Sequence, residues 1–433
     1  MRFSSGIFTG KTAIYIAAFL MIAVSSNLNW PEKYSQGIIR SDAKGYYAYL
    51  PALFIYNDLH FDFFAEMDGN KYYNPYYFYD YRAAHFGHPI NKYYCGTALL
   101  EMPFFLMAHT ITLVSGGDAD GYSYWYRIFV SIAAIFYLIA GLIFCNKLLE
   151  LNEVENINRF ITLISIVFGT NLFYYAIVEP GMSHIYSFAG VAMFLFYCQK
   201  YFAENNPKNL ILAAIAFGII LLIRPVNGLI ILALPFIAGS FDVLKNFLTA
   251  VRKKPLVLLV VALIPFLILS IQVIYYLMAT GDYWVYSYGD EKFNFSSPHF
   301  FEILFSFRKG LFLYTPIYLV SLVGLFYYWK NSRFRAVSFL LFFFLLTFIL
   351  SSWWNWYYGG SFSSRVYVEY LPLFIIMLGY ALQKLKGPVL KPVFIGILTL
   401  LIILCQFQIY QYRYGRIHWE NMNKELYLKS FKF

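Results

Sequence analysis

Residues 40–56 read RSDAKGYYAYLPALFIY and place one carboxylate, Asp42, just beyond the first apolar stretch of the chain. Tyrosines and aliphatic side chains follow this acid. Such a mixture is typical of a membrane–water interface, where an apolar body carries a polar tip. The stretch therefore predicts a helix that lies on the bilayer with Asp42 at its start. Because Asp also begins helices as a capping residue, a purely capping role is the alternative.

The composition indicates a membrane protein. Hydrophobic residues make up 60% of the 433 positions and charged residues only 13%, whereas soluble domains carry about 25% charged residues. Apolar runs of membrane-spanning length recur along the whole chain, so we predict an all-α polytopic membrane protein. The net charge of +10 does not indicate a nucleic-acid partner, because most Lys and Arg lie in short connectors between apolar runs.

The positive-inside rule orders these apolar runs. Residues 12–27 form the first span, with the N-terminus inside; a signal-peptidase site at 23–25 is the alternative. If residues 96–114 do not cross the bilayer, the connectors rich in Lys and Arg all fall on the inner side. Further spans are then predicted at 127–147, 159–177, 184–203, 209–223, 226–243, 255–280, 311–329, 336–352, 366–383 and 391–409. The total is about eleven helices, with the C-terminus outside.

This topology predicts one membrane-embedded domain, residues 1–433. Residues 28–126 form a large first outer loop that carries interfacial helices, and residues 410–433 form an outer tail. The four cysteines are scattered and suggest neither a zinc site nor a disulfide framework.

The connections left on the outer side carry unusual residues and form one candidate site with Asp42. Glu179 and His184 flank a Pro-Gly turn, for which a solvated turn is the alternative. Arg224 interrupts a long apolar stretch, and such an arginine is costly in a membrane unless it meets a partner or an anionic ligand. Snorkelling of Arg224 to the interface is the alternative there.

Two further outer segments combine aromatic and cationic residues. Residues 283–291 read YWVYSYGDE and precede the pair Arg308 and Lys309, which break the positive-inside rule. Nonspecific binding of anionic lipid headgroups is the alternative for this pair. Residues 351–365 read SSWWNWYYGGSFSSR. The tryptophans alone would suit an interfacial anchor, but the adjacent glycines and the serines favour a substrate-binding loop that ends in Arg365.

This arrangement resembles the C-type (GT-C) glycosyltransferase superfamily, which includes protein O-mannosyltransferases and the aminoarabinose transferases of lipid A. The resemblance is carried by the acid at the start of a large first outer loop, by Arg127 at the start of the next helix and by WNWYYGG at 354–360 followed by Arg365. It implies a bundle of about eleven transmembrane helices and an enzyme that takes a sugar from a polyprenyl-phosphate carrier. It also implies the inner membrane of a bacterium, with the active site facing the periplasm.

One departure from the family concerns metal binding. Many relatives have two adjacent acids or an Asp-x-Asp in the first loop, whereas here Ala43 and Lys44 follow Asp42. The sequence therefore does not predict a definite cofactor, and whether the protein binds a divalent metal stays open.

The predicted chemistry needs a base for an acceptor hydroxyl and cations for the departing phosphate. We assign Asp42 as the general base, with Glu179 and His184 as catalytic residues that orient the acceptor, assist the base or bind a metal. The carrier-phosphate ligands are drawn from Arg365, Arg224, Arg308 and Lys309. Arg365 comes first because a guanidinium grips phosphate with two parallel hydrogen bonds. The residues predicted to bind the sugar or the acceptor are Tyr46, Tyr288, Trp354, Trp356 and Tyr358.

The predicted partners are a polyprenyl-phosphate-linked sugar donor, an acceptor that is a glycan, a lipid or a protein, and membrane lipids. A transporter or flippase of a lipid-linked sugar would also gather charges in a membrane cavity. Internal repeats or matched charges on the inner half would then be expected. A ligase or polymerase of lipid-linked glycans is a third class, nearer in chemistry.

Overall fold

Most of this chain is helical because a long apolar run in a bilayer must satisfy its backbone hydrogen-bonding groups within the run itself. The computed structural model describes residues 7–76 and 78–432. In the first part of the chain the helices run over Gly10–Leu28, Glu32–Ser35, Asp42–Pro51, Ala52–Tyr56, Phe64–Glu66, Met67–Lys71, Gly96–Val114, Tyr124–Leu151, Asn156–Gly169 and Asn171–Ile177. Two short strands, Arg82–His85 and His88–Asn91, form an antiparallel hairpin that precedes the helix Gly96–Val114.

The second part of the chain continues the bundle. Its helices run over Ser183–Glu204, Pro207–Ile223, Pro225–Ala233, Leu234–Ala238, Phe241–Arg252, Pro255–Thr280, Phe300–Phe305, Leu311–Tyr314, Ile317–Ser321, Val323–Asn331, Arg333–Ser351, Arg365–Tyr370, Leu371–Lys384, Leu390–Arg413 and Lys424–Lys429. Within residues 7–76 and 78–432, seven helices are long and apolar enough to cross a membrane, or up to nine if each of two bent pairs is one span. The all-α polytopic class is thus confirmed.

The predicted number of about eleven spans is not confirmed, and the differences have physical causes. The predicted span 311–329 is interrupted, because Pro316 stands between two of the three short helices that replace it. Ser183–Glu204 is long enough but carries polar residues, and Pro207–Ile223 has only 17 residues. The predicted span 226–243 ends at Ala238, and the following amphipathic helix bends away by 116°.

The helix Arg365–Lys384 stands at the centre of the bundle. Within its apolar window, 89% of the residues are buried by protein, against 6% for Pro255–Thr280, whose apolar surface is almost entirely uncovered by the rest of the protein. Because Arg365 opens the central helix, the start of that helix brings a cation into the interior of the protein.

The predicted inner connectors meet at one end of the bundle. Arg335 Nη1 donates to Asn152 Oδ1 at 3.1 Å, and the backbone N–H of Glu155 donates to Gln383 Oε1 at 3.0 Å. The predicted outer connections meet at the other end, around the cavity described below. This separation agrees with the predicted distribution of connectors, while the assignment of each end to a side of the membrane stays a prediction.

The helix Asp42–Pro51, called here the Asp42 helix, was predicted to lie on the bilayer surface. It is instead covered by the rest of the protein. Every residue from Ala43 to Pro51 is buried. The hydroxyl groups of its tyrosines bond to the surrounding loop; Tyr49, for example, donates to the carbonyl of Tyr93 at 2.5 Å. The prediction was wrong because a tyrosine suits an interface and also suits a buried site in which its hydroxyl finds a partner.

The helix Gly96–Val114 has the length and apolarity to cross a membrane, but its contacts favour the predicted non-crossing arrangement. Tyr49 bonds to Tyr93, just before this helix, and Tyr47 bonds to the carbonyl of Gly121, just after it. The Asp42 helix has ten residues and is therefore only about 15 Å long. A single short helix that contacts both flanks supports their placement on the same side.

Cysteine labelling tests this arrangement. We expect Asn70→Cys and Ser115→Cys, at exposed positions before and after Gly96–Val114, to react with a membrane-impermeant maleimide added from outside. Lys208→Cys, in a predicted inner connector, serves as the matched control and should react only after permeabilisation. The four native cysteines are buried and give a low background. Labelling of Ser115→Cys only after permeabilisation would show that the helix crosses.

Candidate active site

The predicted outer connections enclose a cavity of about 1110 Å³. Most of the residues predicted for the site line it. They are Asp42, Tyr46, Glu179, His184, Arg224, Tyr288, Trp354, Tyr358 and Arg365. Residues from the first outer loop and from the last third of the chain therefore share one space.

Local backbone geometry places Asp42 at the cavity wall. Ser41, directly before it, has φ 50° and ψ −135°, a conformation that costs a non-glycine residue about 1–3 kcal/mol and persists only where the surroundings fix it. The turn with Glu179 and His184 packs against the same point. A Cβ on Gly181 would come within 2.8 Å of the Cβ of Ala43, so only glycine permits this approach.

The carboxylate of Asp42 pairs with the guanidinium of Arg365. Arg365 Nη2 donates to Asp42 Oδ2 at 2.7 Å. Burial raises the pKa of Asp42, but Arg365 and the hydroxyl of Tyr93 lower it by more, so the pKa lies below its usual value and the group is ionised at neutral pH. Among the described residues no side chain caps the Asp42 helix, and the capping alternative is therefore not supported.

A second carboxylate, Glu369, connects His184 to Arg224. The fully buried Oε1 of Glu369 lies 2.9 Å from His184 Nδ1 and accepts from Arg224 Nη1 at 3.1 Å. Sequence reasoning missed Glu369. The signal was present, because this lone acid stands in an apolar helix four residues after Arg365, and ionisable residues inside a membrane usually serve a function.

Glu179 occupies a different part of the cavity wall. Its Oε1 accepts from Arg40 Nη2 at 3.0 Å and from the hydroxyl of Tyr174 at 3.1 Å. Arg40 and also Arg413, which ends the Leu390–Arg413 helix, line the cavity. The sequence does not single out either residue, because each lies beside polar segments where a solvated arginine is common.

Arg308, Lys309 and Trp356 do not line this cavity in the described part of the chain, contrary to prediction. The guanidinium of Arg308 lies 3.4 Å from the ring centroid of Tyr357. The buried Lys309 donates to the carbonyl of Ser361, and burial lowers the pKa of its amine to about 7. Trp356 stacks on His299. These side chains attach the 351–365 loop to neighbouring segments, because each finds a closer partner there than in the cavity.

The residues around Asp42 do not fit a divalent metal. Within residues 7–76 and 78–432, no group of three or more His, Cys, Asp or Glu side chains is placed to hold a metal ion. Asp42 and Glu369 each contact an arginine, which already balances the charge that a metal would neutralise. The reaction proposed below is therefore derived without a metal.

Solved structures with a similar course of the chain include an archaeal enzyme. The chain is similar to the archaeal oligosaccharyltransferase AglB from Archaeoglobus fulgidus, solved in complex with an inhibitory peptide and a dolichol-phosphate. The TM-score is 0.49 and the identity 10%, over 96% of this chain and 56% of that chain. The chain thus spans about half the length of that protein. No protein-family model and no curated protein matches the sequence. The fold class rests on the helices of this chain.

Proposed function

We propose that this protein is a C-type membrane glycosyltransferase that transfers a sugar from a polyprenyl-phosphate-linked donor to an acceptor. The observation that carries the proposal is the ion pair of Asp42 and Arg365 at 2.7 Å in a large cavity that Arg224 also lines. A base for the acceptor and cations for the departing phosphate are thereby within reach of one bound donor. The reaction takes place at the outer face, in a bacterial inner membrane facing the periplasm.

In the proposed reaction Asp42 accepts the proton of an acceptor hydroxyl while the oxygen of that hydroxyl bonds to the anomeric carbon of the donor sugar. The bond between this carbon and the phosphate oxygen breaks, and its electron pair stays on the phosphate. Arg365 and Arg224 stabilise the charge that develops there. Each guanidinium uses one nitrogen for its carboxylate, which leaves further N–H donors for the phosphate.

The ion pair itself has a part in this reaction. While Arg365 holds Asp42, the pKa of the carboxylate is low and its basicity is weak. A donor phosphate competes for Arg365 and weakens this hold, so the basicity of Asp42 rises when the donor is in place.

An apolar groove next to the cavity suits the lipid part of the donor. Its volume is about 420 Å³, and it is lined by Pro225, Val226, Gly228, Leu229, Ile231, Leu232, Phe293 and Ile349. Pro225, Val226 and Phe293 also line the main cavity, so the two spaces adjoin each other. A polyprenyl chain in the groove would leave its phosphate beside Arg224, the residue before Pro225.

A transporter or flippase is less well supported. Its site would need matched charges on the inner half that face a cavity. Among the described residues, the ion pairs of the predicted inner connectors, Arg159–Glu150 and Lys200–Glu204, do not line the cavity. The four carboxylate–cation pairs around it involve Asp42, Glu179, Glu291 and Glu369, all at the predicted outer end. A glycan ligase or polymerase shares the chemistry proposed here and differs only in the size of what is transferred.

A transfer assay in proteoliposomes tests the proposed function. Radiolabelled polyprenyl-phosphate sugars are supplied together with a delipidated cell-envelope extract as the source of acceptor. We expect label to move from the lipid to a product that is not extracted into organic solvent, with release of polyprenyl phosphate. Label that crosses the bilayer while still attached to its lipid would indicate a flippase and contradict the proposal.

Glu369→Gln is expected to lower kcat/KM for transfer about 10- to 150-fold. The amide keeps the size of Glu369 but removes the charge that orients His184 and Arg224, and hydrogen bonds to charged groups contribute about 1.5–3 kcal/mol. Glu302→Gln, at a half-exposed acid away from the cavity, is the matched control. Because Glu369 acts through Arg224, the loss should be smaller in an Arg224→Ala background. Equal losses in both backgrounds would exclude this positioning role.

A further inference from the structure

The mouth of the cavity carries a set of exposed aromatic side chains, called here the aromatic rim. Its members are Tyr34, Tyr76, Trp284, Tyr286, Trp354 and Trp419, and each is more than half exposed. They come from five separate segments, namely the Glu32–Ser35 helix, the loop before the strand hairpin, the loop after Pro255–Thr280, the 351–365 loop and the C-terminal tail. Such convergence on one opening is not explained by the packing of any single segment.

Each of three amide side chains lies one or two positions from a rim aromatic in the sequence. Gln36, Asn74 and Asn355 line the same cavity and supply amide donors and acceptors. Flat aromatic faces together with amides at the same cavity match a ligand that has apolar C–H faces and hydroxyl edges. This is the chemistry of a saccharide, whose rings stack on aromatic side chains while their hydroxyl groups bond to amides.

The apolar groove is a surface distinct from the aromatic rim. The groove is lined almost entirely by aliphatic residues, and the rim shares no residue with it. A lipid chain thus has its own place, and the rim is left for the second substrate. The cavity of about 1110 Å³ also exceeds the roughly 300–1,000 Å³ that suits one drug-sized ligand, so it has room for a donor headgroup and part of an acceptor.

We propose that the aromatic rim binds the acceptor and that this acceptor is an oligosaccharide of several sugar units. The inference rests on the proposed function, because it names the acceptor for the transfer at Asp42. Interfacial anchoring of the protein in the membrane would also use Trp and Tyr. The rim aromatics line a charged cavity, however, and share it with three amide side chains, which an anchor in lipid does not require.

Binding measurements without donor test this inference. The purified protein in nanodiscs is titrated with neutral malto-, manno- and chitooligosaccharides of two to six units, and intrinsic tryptophan fluorescence and calorimetry report binding. We expect at least one series to bind with an affinity that rises with length, as each added unit reaches another aromatic. Trp284→Ala and Trp419→Ala should each weaken binding about three- to tenfold, with partial recovery in Trp284→Phe.

Trp329→Ala is the matched control, because Trp329 is also half exposed but lies in the Val323–Asn331 helix, away from the cavity. The inference is overturned if no series binds, if the rim variants bind as wild type does, or if transfer occurs onto a peptide or lipid acceptor. That last result would leave the proposed function intact. Conversely, oligosaccharide binding at the rim without transfer from any polyprenyl-phosphate sugar would contradict the proposed function alone.

Discussion

An Asp42→Asn variant is expected to bind the polyprenyl-phosphate donor at least as tightly as wild type and to transfer sugar about 100- to 10,000-fold more slowly, the usual contribution of a general base. Asparagine has the size of aspartate and caps a helix equally well, but it cannot take the proton. Removal of the carboxylate also frees Arg365, its partner at 2.7 Å, for the phosphate. Single-turnover transfer and donor competition separate the two effects.

Asp290→Asn is the matched control for this experiment, because Asp290 lies exposed in the outer 281–310 segment and does not line the cavity. Turnover near that of wild type in Asp42→Asn would refute the assignment of the base. A parallel loss of donor affinity would instead give Asp42 a role in orienting the donor, and Glu179, which lines another part of the same cavity, would then be the next candidate for the base.

Arg365→Ala is expected to weaken binding of polyprenyl phosphate about 10- to 150-fold, since hydrogen bonds to charged groups contribute roughly 1.5–3 kcal/mol. Arg365→Lys should retain part of the affinity, because an ammonium supplies the charge without the planar pair of donors. The measurement is competition between unglycosylated polyprenyl phosphate and the labelled donor.

The ion pair complicates this substitution, since Arg365→Ala leaves the largely buried carboxylate of Asp42 without its partner. The double variant Asp42→Asn/Arg365→Ala removes both charges and should recover the thermal stability but not the affinity. Arg82→Ala is the matched arginine control, in the outer loop and paired with Asp80 at 3.0 Å. If Arg365→Ala kept its affinity for polyprenyl phosphate and Arg308→Ala lost it, the phosphate-binding role would be assigned to Arg308 and Lys309 instead.

The fold class and the grouping of the outer connections could be predicted from the sequence, because both depend on where apolar and basic residues lie along the chain. Apolar runs need a membrane, and basic connectors share one side. The breaks were harder to predict. Pro316 divides one predicted span, and the effect of a proline in an apolar run depends on whether neighbouring helices satisfy the freed backbone groups.

The candidate site could be predicted only in part, because the sequence does not show which residues pair with each other. A costly arginine such as Arg224 reveals that a partner exists but not which residue it is, and Glu369 lies 145 positions further along the chain. Arg308 and Lys309 showed the same unusual charge on the outer side. Arg308 contacts the ring of Tyr357 and pairs with the carboxylate of Glu420 at 3.5 Å, and Lys309 donates to the carbonyl of Ser361. Nothing in a sequence distinguishes such partners from a bound phosphate.

The pairing of Asp42 with Arg365 has a consequence for biosynthesis. The two residues are 323 positions apart, so at a translation rate of roughly 5–20 residues per second the arginine is made about 16–65 s after the acid. During this interval the acid must stay hydrated, because a charge without a partner is unfavourable in a dry protein interior. Under the proposed mechanism, a nascent chain therefore lacks the Asp42–Arg365 pair until the central helix has been made.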